Sequence, residues 1–587
     1  MYLSLEKNKF VNGHENQNSL CLNPIFRDAR LGKLKKLKKI LENNPDLVKI
    51  TDAFRDTLLH HAALGNAFKV VVYLDGLDLN LPNAVGQTPF FSACQSGSFE
   101  AAASLLYRCK DINEKSKINL TPIHLACKSG NVSLVTMLIL CGSKLDIPDS
   151  DASLPLHYAA QCGGPNMCSL LLRFYPNAVE YQNSNKNSPL HIASENCNMV
   201  SASTILRAAL NPSFICFKIS DFGSLATVLT KREFEVTLLN KDGQTPEHVA
   251  GSLGHFELAS MIQYELYKVG KDVTYSNKPS LFSLLSYKIC GYPGRRRAMF
   301  FWMLAISFGW IYPYLFFRIS SSSVALSYNE TIIFICLNLF LWISFFIEVR
   351  KNSGYLPTNT VEYEEEMREL FAECRRLQNR TPLLPVGSIA DESQKETLPL
   401  EVKALRRSIR VLKRRLNSLC HTCGCVKPIR AKHCSLCNRC VRVMDHHCPV
   451  TDNCVGQDNR VWFLSTSIST SIVSIWIGWL IIKYWYYSPS TSFWEISTLL
   501  LLSIGCLFAL NAFIMTIMSA VFNLTTNELA NWRRYEYFGN AKTGFKNPFN
   551  KGFWSNTVEF FCPRYYETER ELCRKRGAID DEYQFVV

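Results

Sequence analysis

Two hydrophobic patterns divide the chain. From about residue 24 to 268, short apolar stretches return at a near-constant interval: Thr57-LLHHA, Thr88-PFFSA, Thr121-PIHLA, Leu154-PLHYA, Ser188-PLHIA and Thr245-PEHVA begin 31, 33, 33, 34 and 57 residues apart. A degenerate copy, Pro24-IFRDARLG, begins 33 residues before Thr57. Each copy predicts a pair of short helices. Thr and Pro start the first helix, Ala leaves room for a neighbour, and Gly65, Gly97 and Gly130 mark the turn to the second. Beyond residue 297 the apolar stretches lengthen and lose their charges. The segment Ala298-MFFWMLAISFGWIYPYLFF and residues 331–349, 461–483 and 496–522 each suffice to cross a hydrocarbon core of about 30 Å. None has an ionisable group in its central portion, thiols and aromatic hydroxyls aside.

The period and the T-P-L-H-x-A signature resemble the ankyrin repeat. That resemblance implies a solenoid of about seven repeats over residues 24–268, because one repeat alone cannot bury its apolar face. Between Ser188 and Thr245 lie about 24 residues beyond one period; they include Phe217-KISDFGSLA, a loop or an atypical repeat. His60, His124, His157 and His191 recur at the repeat's own position and read as structural. Cys94, Cys127 and Cys162 read as core thiols. The usual role of such a stack is to bind a protein on its concave face.

Composition sharpens the division. A chain of 587 residues predicts three or four units. Charged residues are 19%, below the usual value of about 25%, as long uncharged spans require. The 12% aromatic content excludes a fully disordered chain, and residues 1–13 hold no apolar segment of the kind a signal peptide needs. All ten tryptophans lie at Trp302 or later, in keeping with their preference for membrane–water interfaces. Arg295, Arg296 and Arg297 precede the first predicted span, Arg350 and Lys351 follow the second, Arg460 precedes the third, and Arg533 and Arg534 follow the fourth. The link between the third and fourth has no basic residue. This asymmetry places the repeats, the long central loop and the tail in the cytosol. A net charge of +14 fits an anionic partner.

The central loop carries the chemistry. An acidic helix-like stretch from Val361 and a linker with Pro382, Pro385 and Pro399 lead to eight of the chain's 23 cysteines, between Cys420 and Cys454. In a reducing compartment such clustering points to metal. With His421 and Cys425 set aside, ten candidate ligands remain: Cys420, Cys423, His433, Cys434, Cys437, Cys440, His446, His447, Cys448 and Cys454. Two tetrahedral zinc sites need eight. If the remaining two are a neighbouring Cys and His, they form a nucleophile with its base. Counting alone does not choose the pair.

The order and spacing of these residues resemble the cysteine-rich domain of the Asp-His-His-Cys protein S-acyltransferases, and the repeats ahead of the first span resemble the ankyrin-bearing branch of that family. The resemblance implies one zinc on Cys420, Cys423, His433 and Cys440, and a second on Cys434, Cys437, His447 and Cys454. It leaves Cys448 as nucleophile, His446 as base and Asp445 to orient it, with Cys425 an exposed thiol. The implied fold is dominated by α-helix: an ankyrin solenoid, a four-helix polytopic membrane domain and a small cytosolic two-zinc domain. The implied divisions are a tail at 1–23, repeats at 24–268, a juxtamembrane linker at 269–297, spans one and two within 298–349, a loop at 350–416, the zinc domain at 417–460, spans three and four within 461–522 and a cytosolic tail at 523–587. Thr525-Thr-Asn-Glu528 fits the family's Thr-Thr-x-Glu motif, and Asn556 fits its tail motif. Asn352-Ser353-Gly354 stands where Asp-Pro-Gly is usual, and Val450 where Trp is usual.

The same resemblance implies a protein-cysteine palmitoyltransferase. It would use palmitoyl-CoA or another long-chain acyl-CoA as cosubstrate, act on proteins with cytosolic cysteines recruited by the repeats, and reside in a bilayer, on Golgi or other endomembranes. Of the basic residues near the cysteines, some would meet CoA phosphates, while Arg406 to Arg415 would meet either those or anionic head groups as an interfacial helix. Nucleic acid is not expected, since the basic run adjoins membrane spans. Competing classes are a catalytically inactive ankyrin adaptor, a membrane zinc-finger ubiquitin ligase that uses every Cys and His as ligand, and a cation channel, which needs more spans and a pore loop.

Overall fold

The computed structural model describes residues 24–74, 81–109, 111–162, 164–210, 214–219, 225–230, 234–268, 328–380, 398–487, 493–539 and 544–563. They fall into two compact units, one of Met1–Leu253 with Glu364–Asn417, the other of Gly254–Tyr363 with Ser418–Val587.

The first unit is built on stacked helix pairs. Pro24–Arg30, Leu58–Leu64, Pro89–Gln95, Pro122–Ser129, Pro155–Cys162, Pro189–Glu195 and Pro246–Ser252 are the first helices of successive repeats, and each packs on the next in line. The recurrent histidine explains both the helix start and the stacking. Thr121 caps its helix, and its backbone N–H donates to His124 Nδ1 at 3.2 Å with its hydroxyl 2.8 Å from the same nitrogen. His124 Nε2 reaches Ser153 O, 3.2 Å away in the following repeat. His60, His157 and His191 repeat the arrangement towards Gln87 O, Asn187 O and Gln244 O at 3.0–3.1 Å. Burial lowers the pKa of His124 and His157 to about 4, so the ring is neutral and has one accepting and one donating nitrogen. Gly130 turns with φ +74°, whereas Gly65 is needed for close approach: a Cβ there would lie 1.8 Å from Arg30 O.

The extra residues before Thr245 form an antiparallel hairpin, Phe214–Ile219 with Leu225–Thr230, whose Phe217 ring packs 5.5 Å from Phe174. Cys94 and Cys127 are buried, but Cys162 is exposed because it ends its helix beyond the packed face.

Two helices from the central loop complete this unit, Val361–Gln378 (from Glu364 onward) and Leu398–Ser418. Arg415 joins them through Glu366, Glu369 and Glu373 at 2.7–2.9 Å. Leu405, Ile409, Leu412 and Leu416 are buried, a three-to-four-residue spacing that makes one apolar stripe. Lys413 pairs with Glu100 at 2.8 Å, Arg406 lies over Phe68, and Asn417 accepts a hydrogen bond from Ser133. The basic run Arg406 to Arg415 is therefore part of a helix packed on the second helices of the repeats, and the expectation of an interfacial helix is corrected: the stripe is already covered by protein.

Among the described residues of the second unit, three helices are long and apolar enough to cross a membrane, with windows at Asn329–Arg350, Arg460–Trp479 and Ser503–Phe522. They lie within Tyr328–Arg350, Arg460–Tyr487 and Phe493–Phe522. The predicted span beginning at Ala298 lies outside the described residues. In the middle helix, Ser465, Thr466, Ser467, Ser469, Thr470 and Ser471 all donate to carbonyls one turn back. Satisfied this way, small polar side chains let the other two helices approach closely.

Candidate metal clusters and a reactive cysteine

Three short hairpins follow one another at a 14-residue interval. They pair Leu419–Cys420 with Cys425–Val426, Lys432–Cys434 with Arg439–Val441, and His446–Cys448 with Asn453–Val455. In each, a cysteine (Cys420, Cys434, Cys448) faces the residue five positions on (Cys425, Arg439, Asn453) across the ladder. The residue before that partner turns with positive φ: Gly424 at 61°, Asn438 at 51° and Asp452 at 46°.

The first two hairpins gather metal ligands. Cys420, Cys423, His433 and Cys440 bring one ligand atom each within 4.8 Å of one another, and so do Cys434, Cys437, His447 and Cys454. Both sets share the spacing C-x2-C-x9-H-x6-C. In both, the third residue of the turn donates its backbone N–H to the first sulfur, Cys423 to Cys420 and Cys437 to Cys434, each at 3.4 Å. His433 Nδ1 lies 3.3–3.8 Å from its three sulfurs, and His447 Nδ1 likewise from its own. Three thiols and one imidazole converging on a point are the donor set of a closed structural zinc site. The surroundings differ: His447 Nε2 is 3.8 Å from Asp452 Oδ1, while His433 Nε2 is buried without a hydrogen-bond partner among the described residues.

The third hairpin departs from this plan. Three residues after Cys448 stands Thr451 in place of a cysteine, and Cys448 belongs to neither metal cluster. Its neighbour His446 lies with Nδ1 2.7 Å from Asp445 Oδ2 and its ring edge-on to Phe463, 5.2 Å between centroids. Asp445 also accepts from the backbone N–H of Thr526 and from its hydroxyl, the latter at 2.9 Å. Burial pushes the Asp445 pKa up, but the His446 and Thr526 contacts outweigh it and leave the carboxyl below its ordinary value. For His446, burial alone would lower the pKa; the hydrogen bond to Asp445 and the adjacent Cys448 thiol raise it to about 10. Cys448 is 7% exposed and His446 about a third exposed. A cleft lined by Val443, Asp445, Arg460, Ser519, Thr525 and Phe560 adjoins the Asp445 side.

The flanking motifs hold this hairpin. Thr525 caps the helix Thr526–Asn531 with Glu528 in a capping box, which aims Thr526 at Asp445. Glu528 pairs with Arg430 through two contacts of 2.8 and 2.7 Å, both side chains buried; Arg430 is thus a structural anchor and is not available to CoA phosphate. The Asn352-Ser353-Gly354 segment keeps a turn of its own. Asn352 Oδ1 accepts from Gly354 and Tyr355 N–H at 2.9 and 2.7 Å, and buried Ser353 donates to Asn453 Oδ1 and Cys454 O. Asn556 Nδ2 donates to Val521 O at 2.7 Å, and Val450 is half-buried.

The two groups set aside by counting are also placed. His421 is buried with Nδ1 2.6 Å from the Tyr363 hydroxyl. Cys425, expected to be exposed, is 2% exposed beside the first cluster, because its ladder position opposite Cys420 turns it inward. Sequence reasoning passed over the 14-residue interval, which identifies Cys448 as a knuckle cysteine lacking its partners. Thr526 and Ser353 are placed in motifs by the sequence but given no contacts, because their partners lie 81 and 100 positions away.

Residues 413–533 match the DHHC palmitoyltransferase family, and residues 25–118 and 123–213 each match the family described as ankyrin repeats (3 copies). Palmitoyltransferase ZDHHC17 of Danio rerio is 35% identical over 164 residues, 25% of this chain and 26% of that one. Palmitoyltransferase ZDHHC3 of Rattus norvegicus is 32% identical over 154 residues, 23% of this chain and 52% of that one. Palmitoyltransferase SWF1 of Saccharomyces cerevisiae is 39% identical over 117 residues, 19% and 34% of the two chains. The chain spans about a quarter of ZDHHC17 and about half of ZDHHC3. It therefore carries a DHHC palmitoyltransferase domain together with ankyrin repeats.

Proposed function

We propose that this chain is a protein S-acyltransferase that moves a long-chain acyl group from acyl-CoA to protein cysteines through a thioester on Cys448. The observation that carries the reading is the pairing of Asp445 with His446 at 2.7 Å beside a cysteine excluded from both ligand sets. Asp445 engages Nδ1, and the raised pKa of His446 favours the imidazolium, so a proton taken from Cys448 is held on the ring. In the first half-reaction Cys448 gives its thiol proton to His446 and its sulfur attacks the acyl-CoA carbonyl; the C–S bond to CoA breaks, and the imidazolium returns the proton to the CoA thiolate. In the second, the substrate cysteine gives its proton to His446 and attacks the thioester, and Cys448 leaves as thiolate and is reprotonated.

Zinc, when bound by Cys420, Cys423, His433 and Cys440 and by Cys434, Cys437, His447 and Cys454, supplies structural cross-links. These would fix the third hairpin between the second and third spans. The same reading includes four membrane spans with both ends in the cytosol, on Golgi or other endomembranes, and repeats that recruit substrate proteins. The domain divisions given above belong to it too.

The test uses full-length protein in detergent, incubated with an alkyne analogue of palmitoyl-CoA beside a Cys448→Ser variant. A label released by neutral hydroxylamine and absent from the variant supports the acyl-enzyme. No label on folded, zinc-loaded protein offered several chain lengths would favour the adaptor or ligase classes.

A further inference from the structure

The first cluster has one donor more than a tetrahedral metal needs. Cys425 lies opposite Cys420 in its two-residue ladder and is buried in one group with Cys420, Cys423 and Cys440. The second cluster has no such thiol: the corresponding position is Arg439, whose guanidinium lies over the Tyr355 ring. The two ligand histidines differ as well. A metal-bound imidazole ordinarily donates its other N–H to an acceptor that fixes the ring and raises its basicity. Asp452 approaches His447 in that position, whereas His433 Nε2 is buried with no hydrogen-bond partner among the described residues. The ligand with the weakest support thus shares a cluster with a surplus thiol.

We infer that Cys425 is a reserve ligand of the first metal cluster, able to take the place of His433 and convert a three-thiolate, one-imidazole site into a four-thiolate site. The inference rests on the reading of both clusters as zinc sites. In the exchange, the Nδ1–metal bond breaks and a sulfur–metal bond forms, while the proton leaving Cys425 passes to the released Nδ1. No oxidant is needed.

The experiment measures zinc per chain in full-length protein purified as wild type, His433→Ala, His433→Ala with Cys425→Ala, and His447→Ala. Cobalt-substituted samples are examined by absorption. The single His433→Ala variant is expected to retain two metals per chain, with the thiolate-to-cobalt charge-transfer band strengthened by one added sulfur. The double variant should retain one, a twofold drop, and His447→Ala should also retain one, since its cluster has no reserve. Equal loss in the single and double variants, whether of metal or of folded protein, overturns the inference, as does retention of two metals by both. A wild type that binds fewer than two zincs would instead overturn the two-site reading, so the two failures are distinguishable.

Discussion

Cys434 and Cys448 occupy equivalent places in successive hairpins. Both lie in two-stranded hairpins of one 14-residue series, and both hairpins close through a residue with positive φ, Asn438 in one and Asp452 in the other. Around Cys434 the series supplies Cys437, His447 and Cys454. Around Cys448 the place equivalent to Cys437 holds Thr451, and the nearest imidazole is engaged by Asp445. On the proposed reading, a backbone suited to holding a metal becomes a reactive site when ligands are withheld and a base is placed beside the remaining sulfur. The chemistry therefore turns on a few side chains.

The largest effect expected on this comparison comes from Cys437→Ser. Structural zinc contributes about 10–16 kcal/mol in small zinc domains, so loss of one ligand should empty the second cluster and unfold the cysteine-rich region, read as zinc content and thermal unfolding. Cys448→Ser should leave both quantities unchanged. Equal zinc loss in the two variants would break the division into structural and reactive cysteines. The next largest effect is expected from Asp445→Asn, which preserves shape but favours the wrong tautomer of His446. By analogy with the corresponding change in a Ser-His-Asp site, acyl-enzyme formation should slow by up to about 10⁴-fold with zinc content intact. A rate within threefold of wild type would show that Asp445 does not set the state of His446.

How far the sequence foretells these differences depends on the range of the contacts involved. The repeats are readable because Thr-Pro, His and Ala recur in register and the histidine's bonds to the next repeat span only about one period. The long apolar segments are readable from length alone. Ligand candidates are readable from their spacing, but Asp445, His446 and Cys448 could not be singled out by counting; resemblance supplied that choice. The packing of Leu398–Ser418 on the repeats was hidden because its basic residues are conspicuous, whereas its apolar stripe decides its position. Arg430 is one of several basic residues near the cysteines, and nothing local marks its partner Glu528, 98 residues away. Residues this far apart can be paired only in three dimensions.

Thr526→Val carries the smallest predicted effect and the sharpest test of how the reactive hairpin is held. Asp445 has three described partners, His446 Nδ1, the Thr526 backbone N–H and the Thr526 hydroxyl. Valine keeps the shape and the backbone donor and removes only the hydroxyl. A hydrogen bond to a charged group contributes about 1.5–3 kcal/mol, and the remaining partners should recover part of that, so acyl-enzyme formation should slow roughly tenfold. Thr526→Ser keeps the donor and should keep the rate, although it removes the threonine methyl group from the packing. Recovery with serine would assign the effect to the hydrogen bond on Asp445. If serine were as slow as valine, Thr526 would act through its packing, and the orientation of His446 would rest on the carboxylate and the backbone N–H of residue 526 alone.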